Sequence, residues 1–202
     1  MKVGIFGGSF NPIHIGHAII ASHVIQHSDL DQLWLMVAPL NPLKQPLNDN
    51  SYDIHRLRMA ELVSRHINGI ETSAFEFSLP RPSYTVNTLQ ALQEKFPNHE
   101  FTLVIGADNW AVFNKWKDWQ TILANYDILI YPRLGYDVNI PEEYSQRVKL
   151  TDAPIIEVSS TRIRDGLACG ESMRFYVPDD VYNYIQVNHL YQHEQSVTIA
   201  PK

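Results

Sequence analysis

The sequence predicts an α/β fold in which a doubly wound, mostly parallel sheet carries helices on both faces. Two observations lead to this prediction. Short apolar segments typical of buried parallel strands alternate with segments of helical spacing along the chain. The length of 202 residues, with 45% hydrophobic and 19% charged residues, suits one globular domain with a full core. In such a sheet a ligand lies beyond the carboxyl ends of the strands, near a switch in strand order.

The first part of the chain predicts two strands and two helices. They are strand 2–7, helix 14–27, strand 32–38 and helix 52–66. The first helix carries a stripe at helical spacing, formed by Ile15, Ala18, Ile19 and Ser22. Residues 39–50 hold three prolines and three asparagines, which predicts a loop, and Ser51 is the expected cap of the helix that follows.

The rest of the chain continues the alternation. We expect strands at 69–77, at 101–106, within 122–132 after a short helix, and at 154–158, and helices at 86–96, from Ser159/Ser160 to Gly170, and at 178–191. Residues 134–150 are expected to be a polar loop. One domain is predicted over residues 1–191, with its C-terminal helical part from about residue 159, and a frayed tail over 192–202.

Composition narrows the class of protein. The net charge of −6 argues against non-specific binding to nucleic acid or to an anionic membrane, because no basic excess drives it. Cys169 is the single cysteine, which excludes an intrachain disulfide and a cysteine-rich metal site. No apolar stretch reaches the roughly 20 residues of a membrane span, and no signal peptide is recognisable. We expect a cytoplasmic protein, and the sequence leaves open whether it forms a homo-oligomer.

The segment GGSFNPIHIGH, residues 7–17, follows the first predicted strand directly. Gly7 and Gly8 permit a sharp turn and let a ligand approach the backbone amides. The first turn of the next helix offers free N–H groups and a partial positive charge, which together favour an anion. His14 and His17 lie at i and i+3 on one side of that turn, and Gly16 is expected to leave room for a ligand beside them.

Other interpretations of this segment are weaker. The glycine spacing does not match the dinucleotide fingerprint, and no Gly-Lys-Ser/Thr of a Walker loop is present. A zinc pair lacks an obvious third ligand nearby. A plain turn followed by two surface histidines would be the default for an isolated Gly-Gly.

The longer string GSFNPIHIGH resembles the GxFxPxHxGH signature of the HxGH nucleotidylyltransferase superfamily. The resemblance implies a Rossmann-like fold, ATP binding and nucleotidyl transfer. It also implies that His14 and His17 contact the triphosphate and act as charge and hydrogen-bond donors to it. The other residues of this loop that it assigns to the ATP site are Gly7, Gly8, Ser9 and Phe10.

Four further segments resemble the bacterial nicotinate mononucleotide adenylyltransferases. They are PLNPLK (39–44), PRPSYTVNTL (80–89), GADN (106–109) followed by KW (115–116), and VSSTRIRDGL (158–167). The closing helix is similar as well, so the resemblance runs over about residues 1–191. It implies transfer of AMP from ATP to nicotinate mononucleotide. Two departures are Asn11, where much of the superfamily has aspartate, and Leu134 in the turn Pro132–Gly135, which we expect to be a surface turn away from the chemistry.

The residues expected to bind the phosphates are indicated by the start of a helix and by the resemblance. Ser159, Ser160 and Thr161 open a helix, so their hydroxyls and amides can hold phosphate oxygens. Arg164 lies one turn after Ser160, and its planar fork suits pyrophosphate, although a solvated arginine on a capped helix is the alternative. Arg162 is expected at the surface. The resemblance adds Lys44 as a catalytic cation and Gly106 and Asp108 to the ATP site.

The pyridine nucleotide is expected at a second group of residues. Thr85 begins a helix after Tyr84, where free amides and a hydroxyl could bind a carboxylate, and Trp116 could stack on a pyridine ring. The resemblance assigns these residues, with Lys44 and Asp108, to nicotinate mononucleotide. Packing is the alternative for Trp116, as it is for the remaining tryptophans, and an N-cap near Asn109 is the alternative for Asp108.

The expected reaction needs no general base, because a phosphate monoester is largely dianionic at neutral pH. Catalysis is then positioning and charge neutralisation, helped by Mg²⁺ that the phosphates and water hold, with no ligand from the protein. The alternatives are another acceptor, namely nicotinamide mononucleotide or phosphopantetheine, and a catalytically silent nucleotide-binding protein.

Overall fold

The structure is a computed structural model that describes residues 1–39 and 51–192, apart from the side chain of Ser51. Its strands are β1 Lys2–Gly8, β2 Gln32–Val37, β3 Ile70–Ser73, β4 Glu100–Gly106, β5 Asp127–Tyr131 and β6 Val148–Leu150. All pair in parallel, in the order β3-β2-β1-β4-β5-β6. The predicted doubly wound α/β fold is therefore confirmed, with a sheet that is parallel throughout.

The helices lie between the strands and after the last one. They are α1 Ile15–His27, α2 Ser51–Ser64, α3 Thr85–Lys95, α4 Ala107–Trp110, α5 Trp119–Asn125, α6 Ser160–Ala168 and α7 Asp179–Val187. In the described part of the chain, no helix is long and apolar enough to cross a membrane.

Alternation along the strands builds two cores, one on each face of the sheet. Phe6 of β1 and Val104 of β4 face α1, α2, α6 and α7, whereas Val3 and Ile5 face α3 and α5. This period of two is the reason that one apolar strand can support both layers. The helical layers on both faces are as predicted.

The strand order reverses between β1 and β4, and the pairing there ends early. Gly7 and Gly8 still pair with Met36 and Val37 of β2, but the pairing of β1 with β4 stops at Phe6 and Val104. The carboxyl ends of β1 and β4 therefore diverge. A crevice opens at this switch in strand order, where ligands bind in open α/β sheets.

Several predicted elements were wrong in detail. No strand forms at 154–158. The sixth strand is Val148–Leu150, inside the segment 134–150 that was predicted to be a loop. The third strand ends at Ser73, and a 3₁₀ turn, Phe75–Ser78, takes the rest of the predicted strand 69–77.

The helix that the helical spacing at 14–27 predicted is confirmed as α1, but its buried residues are Gly16, Ile20, Ala21 and Val24, and of the four residues that suggested it Ala18 packs against the core. Helix α2 ends at Ser64, two residues before the predicted end. The predicted cap at Ser51, most of the predicted loop 39–50 and the predicted tail from residue 193 lie outside the described residues and side chains.

Candidate active site

A cavity of about 320 Å³ occupies the crevice between β1 and β4. Among the predicted site residues it brings together Gly7, Gly8, Gly106, Thr85 and Trp116. Trp116 packs its ring on Phe113, with centroids 5.2 Å apart, and is half-buried with one side on the cavity. Trp116 therefore packs against the core and also has a surface on which a pyridine ring could stack.

The other predicted site residues in the described part of the chain do not line this cavity; they are Ser9, Phe10, His14, His17, Tyr84, Asp108, Ser159, Ser160, Thr161 and Arg164. Tyr84 is 42% exposed, and the ammonium of Lys117 lies over its ring, 4.7 Å from the centroid. Lys44 lies outside the described residues, so its predicted place beside the first loop stays a prediction.

The two glycines that end β1 differ in what surrounds them. A Cβ on Gly7 would meet no atom within 4 Å, so this position faces open space. A Cβ on Gly8 would lie 3.0 Å from the ring of Phe10. Phe10 itself is 1% exposed and adopts a left-handed φ of 45°. Its side chain therefore belongs to the core, and only its backbone could contact a ligand.

His14 and His17 cap their own helix. The ring Nδ1 of His14 accepts from the His17 N–H at 3.4 Å, and the ring Nδ1 of His17 accepts from the His14 N–H at 3.3 Å. The two rings stack with centroids 3.7 Å apart, and Phe10 packs edge-on against His17. This reciprocal cap fixes the orientation of both rings.

Burial and charge keep both imidazoles neutral. Burial, followed by the positive charge of Arg133, lowers the pKa of His14 to about 4. The pKa of His17 is lowered well below its usual range by burial, then by His14 and Arg133. A neutral ring whose Nδ1 accepts a hydrogen bond carries its proton on Nε2. In the ligand-free protein each histidine is thus a neutral Nε2–H donor, and the expectation that it contributes charge to a bound triphosphate stays a prediction.

The first turn of α1 offers less than predicted. The Ile15 N–H donates to the Tyr176 carbonyl at 3.0 Å, and the His17 N–H is taken by His14. Of the first three amides, only that of Gly16 lacks a partner in the described ranges. A Cβ on Gly16 would lie 3.1 Å from Nδ1 of His14 and 3.3 Å from Ile156, so the missing side chain admits the histidine ring and not a ligand.

The start of α6 holds the first loop in place. The Ser159 hydroxyl caps the helix by accepting from the Arg162 N–H at 3.2 Å. The Ser160 hydroxyl donates to the Pro12 carbonyl at 2.9 Å, and Arg164 Nη1 donates to the Asn11 carbonyl at 2.7 Å. Arg164 also reaches the hydroxyl of Thr161 at 3.3 Å.

These bonds leave the backbone amides of Ser160 and Thr161 without partners among the described residues. They lie at the start of α6, a nine-residue helix whose dipole favours an anion there. The predicted segment 159–164 thus lies against the first loop. The predicted surface position of Arg162 is confirmed, since its side chain is exposed and pairs with Glu171 at 2.7 Å.

Arg133, in the turn after β5, is a functional candidate that the sequence interpretation missed. Its Nε lies 3.8 Å from Oδ1 of Asp108, and both atoms are buried without a hydrogen bond from a described group. Its guanidinium covers the ring of Tyr131, 5.2 Å from the centroid. Because buried polar atoms are usually hydrogen-bonded, these two atoms are candidates for hydrogen bonds to a ligand. The predicted surface position of Leu134 is confirmed, since it is 60% exposed, and the expectation that this turn lies away from the chemistry stays a prediction.

Asp108 folds back over Gly106, where a Cβ would lie 2.2 Å from its Oδ1. A side chain at Gly106 would therefore displace this carboxylate. Asp108 lies inside α4, whose N-cap is Gly106, so the alternative of Asp108 as N-cap was wrong.

Arg56 is a second residue that sequence patterns did not indicate. It is fully buried and donates to the carbonyl of Ser9, to the carbonyl of Ala38 at 2.7 Å and to Asp53 Oδ1 at 2.6 Å. It thereby joins the loop after β1 to the end of β2 and to α2. A helix arginine is ordinarily solvated, so only the fold reveals this position.

Comparison with known proteins agrees with this geometry. The chain matches the cytidylyltransferase-like family over residues 5–166. A Flavobacterium johnsoniae protein named "Probable nicotinate-nucleotide adenylyltransferase" is 44% identical over 195 residues, which are 95% of this chain and 100% of the relative. A Bacteroides fragilis protein of the same name is 44% identical over 184 residues, which are 91% of this chain and 90% of the relative.

Solved structures share the fold at lower identity. The Plasmodium falciparum nicotinic acid mononucleotide adenylyltransferase complexed with NaAD superimposes with a TM-score of 0.75 at 18% identity, over 94% of this chain and 97% of that one. The same enzyme complexed with APC gives a TM-score of 0.72, over 94% of this chain and 96% of that one. From the identity to its relatives across nearly its whole length, the chain belongs to the cytidylyltransferase-like family and, within it, to the nicotinate-nucleotide adenylyltransferases.

Proposed function

We propose that this protein transfers the adenylyl group of ATP to nicotinate mononucleotide, giving deamido-NAD and pyrophosphate. A phosphate oxygen of the mononucleotide forms a bond to the α-phosphorus of ATP, and the bond from that phosphorus to the β-phosphate bridging oxygen breaks. The observation that carries the proposal is the cavity at the strand switch, which joins the open glycine Gly7 to Thr85 and Trp116. The names of the relatives support the same activity.

The histidines fit a role as neutral donors. The attacking phosphate has its second pKa near 6 and is already ionised at neutral pH, so no base is required. His14 and His17 present Nε2–H groups held by their reciprocal cap. Donors fixed in advance stabilise charge that develops on phosphate oxygens without reorganising during the reaction.

Positive charge comes from elsewhere in this proposal. Arg133 and Arg164, with the free amides at the start of α6, would neutralise the triphosphate, and Lys44 is the further cation that the sequence suggests. Arg133 has the stronger structural support, because its buried Nε lacks a hydrogen-bond partner among the described groups.

The pyridine nucleotide would lie between Trp116 and the start of α3. Helix α3 has no side-chain cap, so the amides of Thr85 and Val86 are available for a carboxylate. Trp116 offers a flat face for the pyridine ring. Asp108, which is 40% exposed, would bind ribose hydroxyls.

Mg²⁺ fits this site as a partner of the phosphates. Within residues 1–39 and 51–192 no group of three or more His, Cys, Asp or Glu side chains could hold a metal ion. The buried Oδ1 of Asp108 could accept a hydrogen bond from a water molecule of the Mg²⁺ hydration shell. We propose that phosphates and water hold the ion, which would neutralise charge on the triphosphate.

One assay tests the proposal. The protein is incubated with ATP and Mg²⁺ and, in turn, with nicotinate mononucleotide, nicotinamide mononucleotide and phosphopantetheine, and pyrophosphate release is measured. We expect release with the pyridine mononucleotides. Release with phosphopantetheine alone, or with none of the three, would overturn the assignment.

The pyridine site is tested in the same assay with Trp116→Ala. We expect the KM for nicotinate mononucleotide to rise at least tenfold while the KM for ATP changes little. Trp110→Ala is the matched control, because Trp110 stacks on the same Phe113 and binds the Asn139 carbonyl but does not line the cavity. Equal rises for both substrates would exclude stacking at Trp116.

A further inference from the structure

A carboxylate lines the cavity in which the pyridine ring is proposed to bind. Glu76 lies on the 3₁₀ turn after β3 and shares this cavity with Thr85 and Trp116. Its Oε1 accepts from the Thr88 hydroxyl at 2.8 Å, and the Ser83 side chain also hydrogen-bonds to it. Both partners belong to the segment that begins α3, so Glu76 is held against the start of that helix.

Glu76 is the one charged side chain among the described residues that line this cavity. Nearby charged groups face elsewhere. Lys95 of α3 lies over the neighbouring Phe75 ring, 5.2 Å from its centroid, and Arg81 pairs with Asp53 at 3.5 Å. Burial raises the pKa of Glu76, and the hydrogen bonds from Thr88 and Ser83 offset part of that rise. The cavity for an acid substrate therefore holds a group of the same sign.

We propose that Glu76 sets the preference between a pyridine carboxylate and a pyridine carboxamide, because the acid binds together with one proton on Glu76 whereas the amide needs none. This inference rests on the proposed function. Two carboxylates held close together in one cavity do not both ionise readily, so one of them retains a proton. Protonated Glu76 can donate a hydrogen bond to the acid, and ionised Glu76 can accept one from the amide.

The sign of the pH dependence follows. The fraction of protein with protonated Glu76 falls as pH rises above the pKa of this group. The kcat/KM for nicotinate mononucleotide should then fall relative to that for nicotinamide mononucleotide, by up to tenfold per pH unit. The ratio of the two values cancels the ionisation of the 5′-phosphate and every effect on ATP, which both acceptors share.

The experiment measures this ratio from pH 6 to pH 9 in the unaltered protein, in Glu76→Gln and in Glu71→Gln. Glutamine resembles protonated glutamate in shape and in its donor and acceptor atoms, so we expect the ratio in Glu76→Gln to be independent of pH. Glu71→Gln removes the same charge from an exposed carboxylate that accepts from Gln32 at 3.0 Å, and should keep the original slope. A ratio that is constant with pH in the unaltered protein, or a slope that survives in Glu76→Gln, would overturn the inference.

Thr88→Val provides an independent measurement in case Glu76→Gln does not fold. Removing the hydroxyl withdraws a hydrogen bond that favours the ionised carboxylate. The fall of the ratio should move to higher pH, by up to about one unit. An unmoved profile contradicts the inference. Turnover of both mononucleotides with a constant ratio defeats this inference alone, whereas turnover of neither defeats the proposed function.

Discussion

At the scale of single residues, the charge of the site is distributed differently from what the motif suggests. In the ligand-free protein, burial and then the positive charge of Arg133 lower the pKa of His14 to about 4, and burial, His14 and Arg133 lower the pKa of His17 well below its usual range. The motif shows which residue types are present, but it does not show their solvation, and solvation decides whether an imidazole is charged. Arg133 lies in a turn with no recognisable spacing, so no sequence pattern could indicate it.

Arg133→Met should change both the histidines and the turnover. Without the positive neighbour, the pKa of His14 should rise from about 4 towards its usual 6.5. The kcat/KM for ATP should fall about 10- to 100-fold, since hydrogen bonds to charged groups contribute roughly 1.5–3 kcal/mol. NMR titration of the imidazole signals measures the pKa of His14, and steady-state kinetics measures kcat/KM for ATP.

Arg162→Met is the matched control, because its guanidinium is exposed and paired with Glu171. It should leave both quantities near their original values. An unchanged histidine titration in Arg133→Met would show that burial alone keeps the rings neutral.

The depressed pKa of His14 also makes stability depend on pH. The folded protein binds this proton with a pKa of about 4 and the unfolded chain with one of 6.5, so unfolding takes up protons between these values. The free energy of unfolding should therefore fall as pH decreases from 7 to 4.5, with about 2 kcal/mol of the fall from His14. His14→Asn keeps an N-cap acceptor but does not titrate, and should reduce the fall by about that amount in urea denaturation.

His66→Asn serves as the comparison, because the side chain of His66 is 65% exposed and pairs with Asp180. If His14→Asn and His66→Asn show the same pH dependence as the unaltered protein, His14 does not titrate with the depressed pKa in the folded state.

At the scale of elements, apolar periodicity predicted the central strands well and the edge poorly. Strands β1, β2, β4 and β5 are buried on both faces, and burial of that kind produces an apolar run that can be recognised. Strand β6 is at the edge, and of its three residues only Val148 is buried. Residues 154–158, which are apolar except for Glu157, have no sheet partner among the described strands, and Ile156 packs beside Gly16.

The sequence predicts those site residues whose position follows from the end of a strand or the start of a helix. The glycines at the end of β1, the start of α3 and Trp116 all line the cavity, which lies at the carboxyl ends of the parallel strands. Arg56 and Glu76 were not predictable, because their importance arises from partners in distant segments. The open space at Gly7 and the filled space at Gly8 look alike in sequence and differ only in packing.

Gly7→Ala and Gly8→Ala should separate binding from folding. The Cβ at Gly7 meets no protein atom, so the free energy of unfolding should stay within about 1 kcal/mol of the original. The kcat/KM for ATP should nevertheless fall at least tenfold, because the methyl group enters the crevice. At Gly8 the Cβ meets the Phe10 ring at 3.0 Å, and we expect a loss of stability of about 1–3 kcal/mol. Denaturant titration and kinetics on both variants test this, and full activity in Gly7→Ala would place the substrate elsewhere.

At the scale of the whole molecule, the end of the chain holds the loop near its beginning. The Tyr191 hydroxyl donates to Asn11 Oδ1 at 2.7 Å, and the Tyr176 carbonyl accepts from the Ile15 N–H at 3.0 Å. Arg164 binds the Asn11 carbonyl. These contacts cross about 150 to 180 residues of sequence, so we expect the geometry of the first loop to depend on the packing of the C-terminal segment.

In a chain that ends at Asn188, we therefore expect kcat/KM to fall by more than the decrease in the folded fraction accounts for. It lacks Leu190, which is 5% exposed in the core, and the Tyr191 bond to Asn11. Removing a buried leucine costs about 2–5 kcal/mol, and a hydrogen bond adds roughly 1 kcal/mol. Tyr191→Phe removes only the hydrogen bond to Asn11. We expect the free energy of unfolding to fall by about 1 kcal/mol. We also expect kcat/KM to fall several-fold at a temperature where the variant is fully folded. A chain that ends at Gln192 keeps both contacts and is the control. If Tyr191→Phe loses stability while kcat/KM is unchanged, the C-terminal contacts support the fold without orienting the first loop.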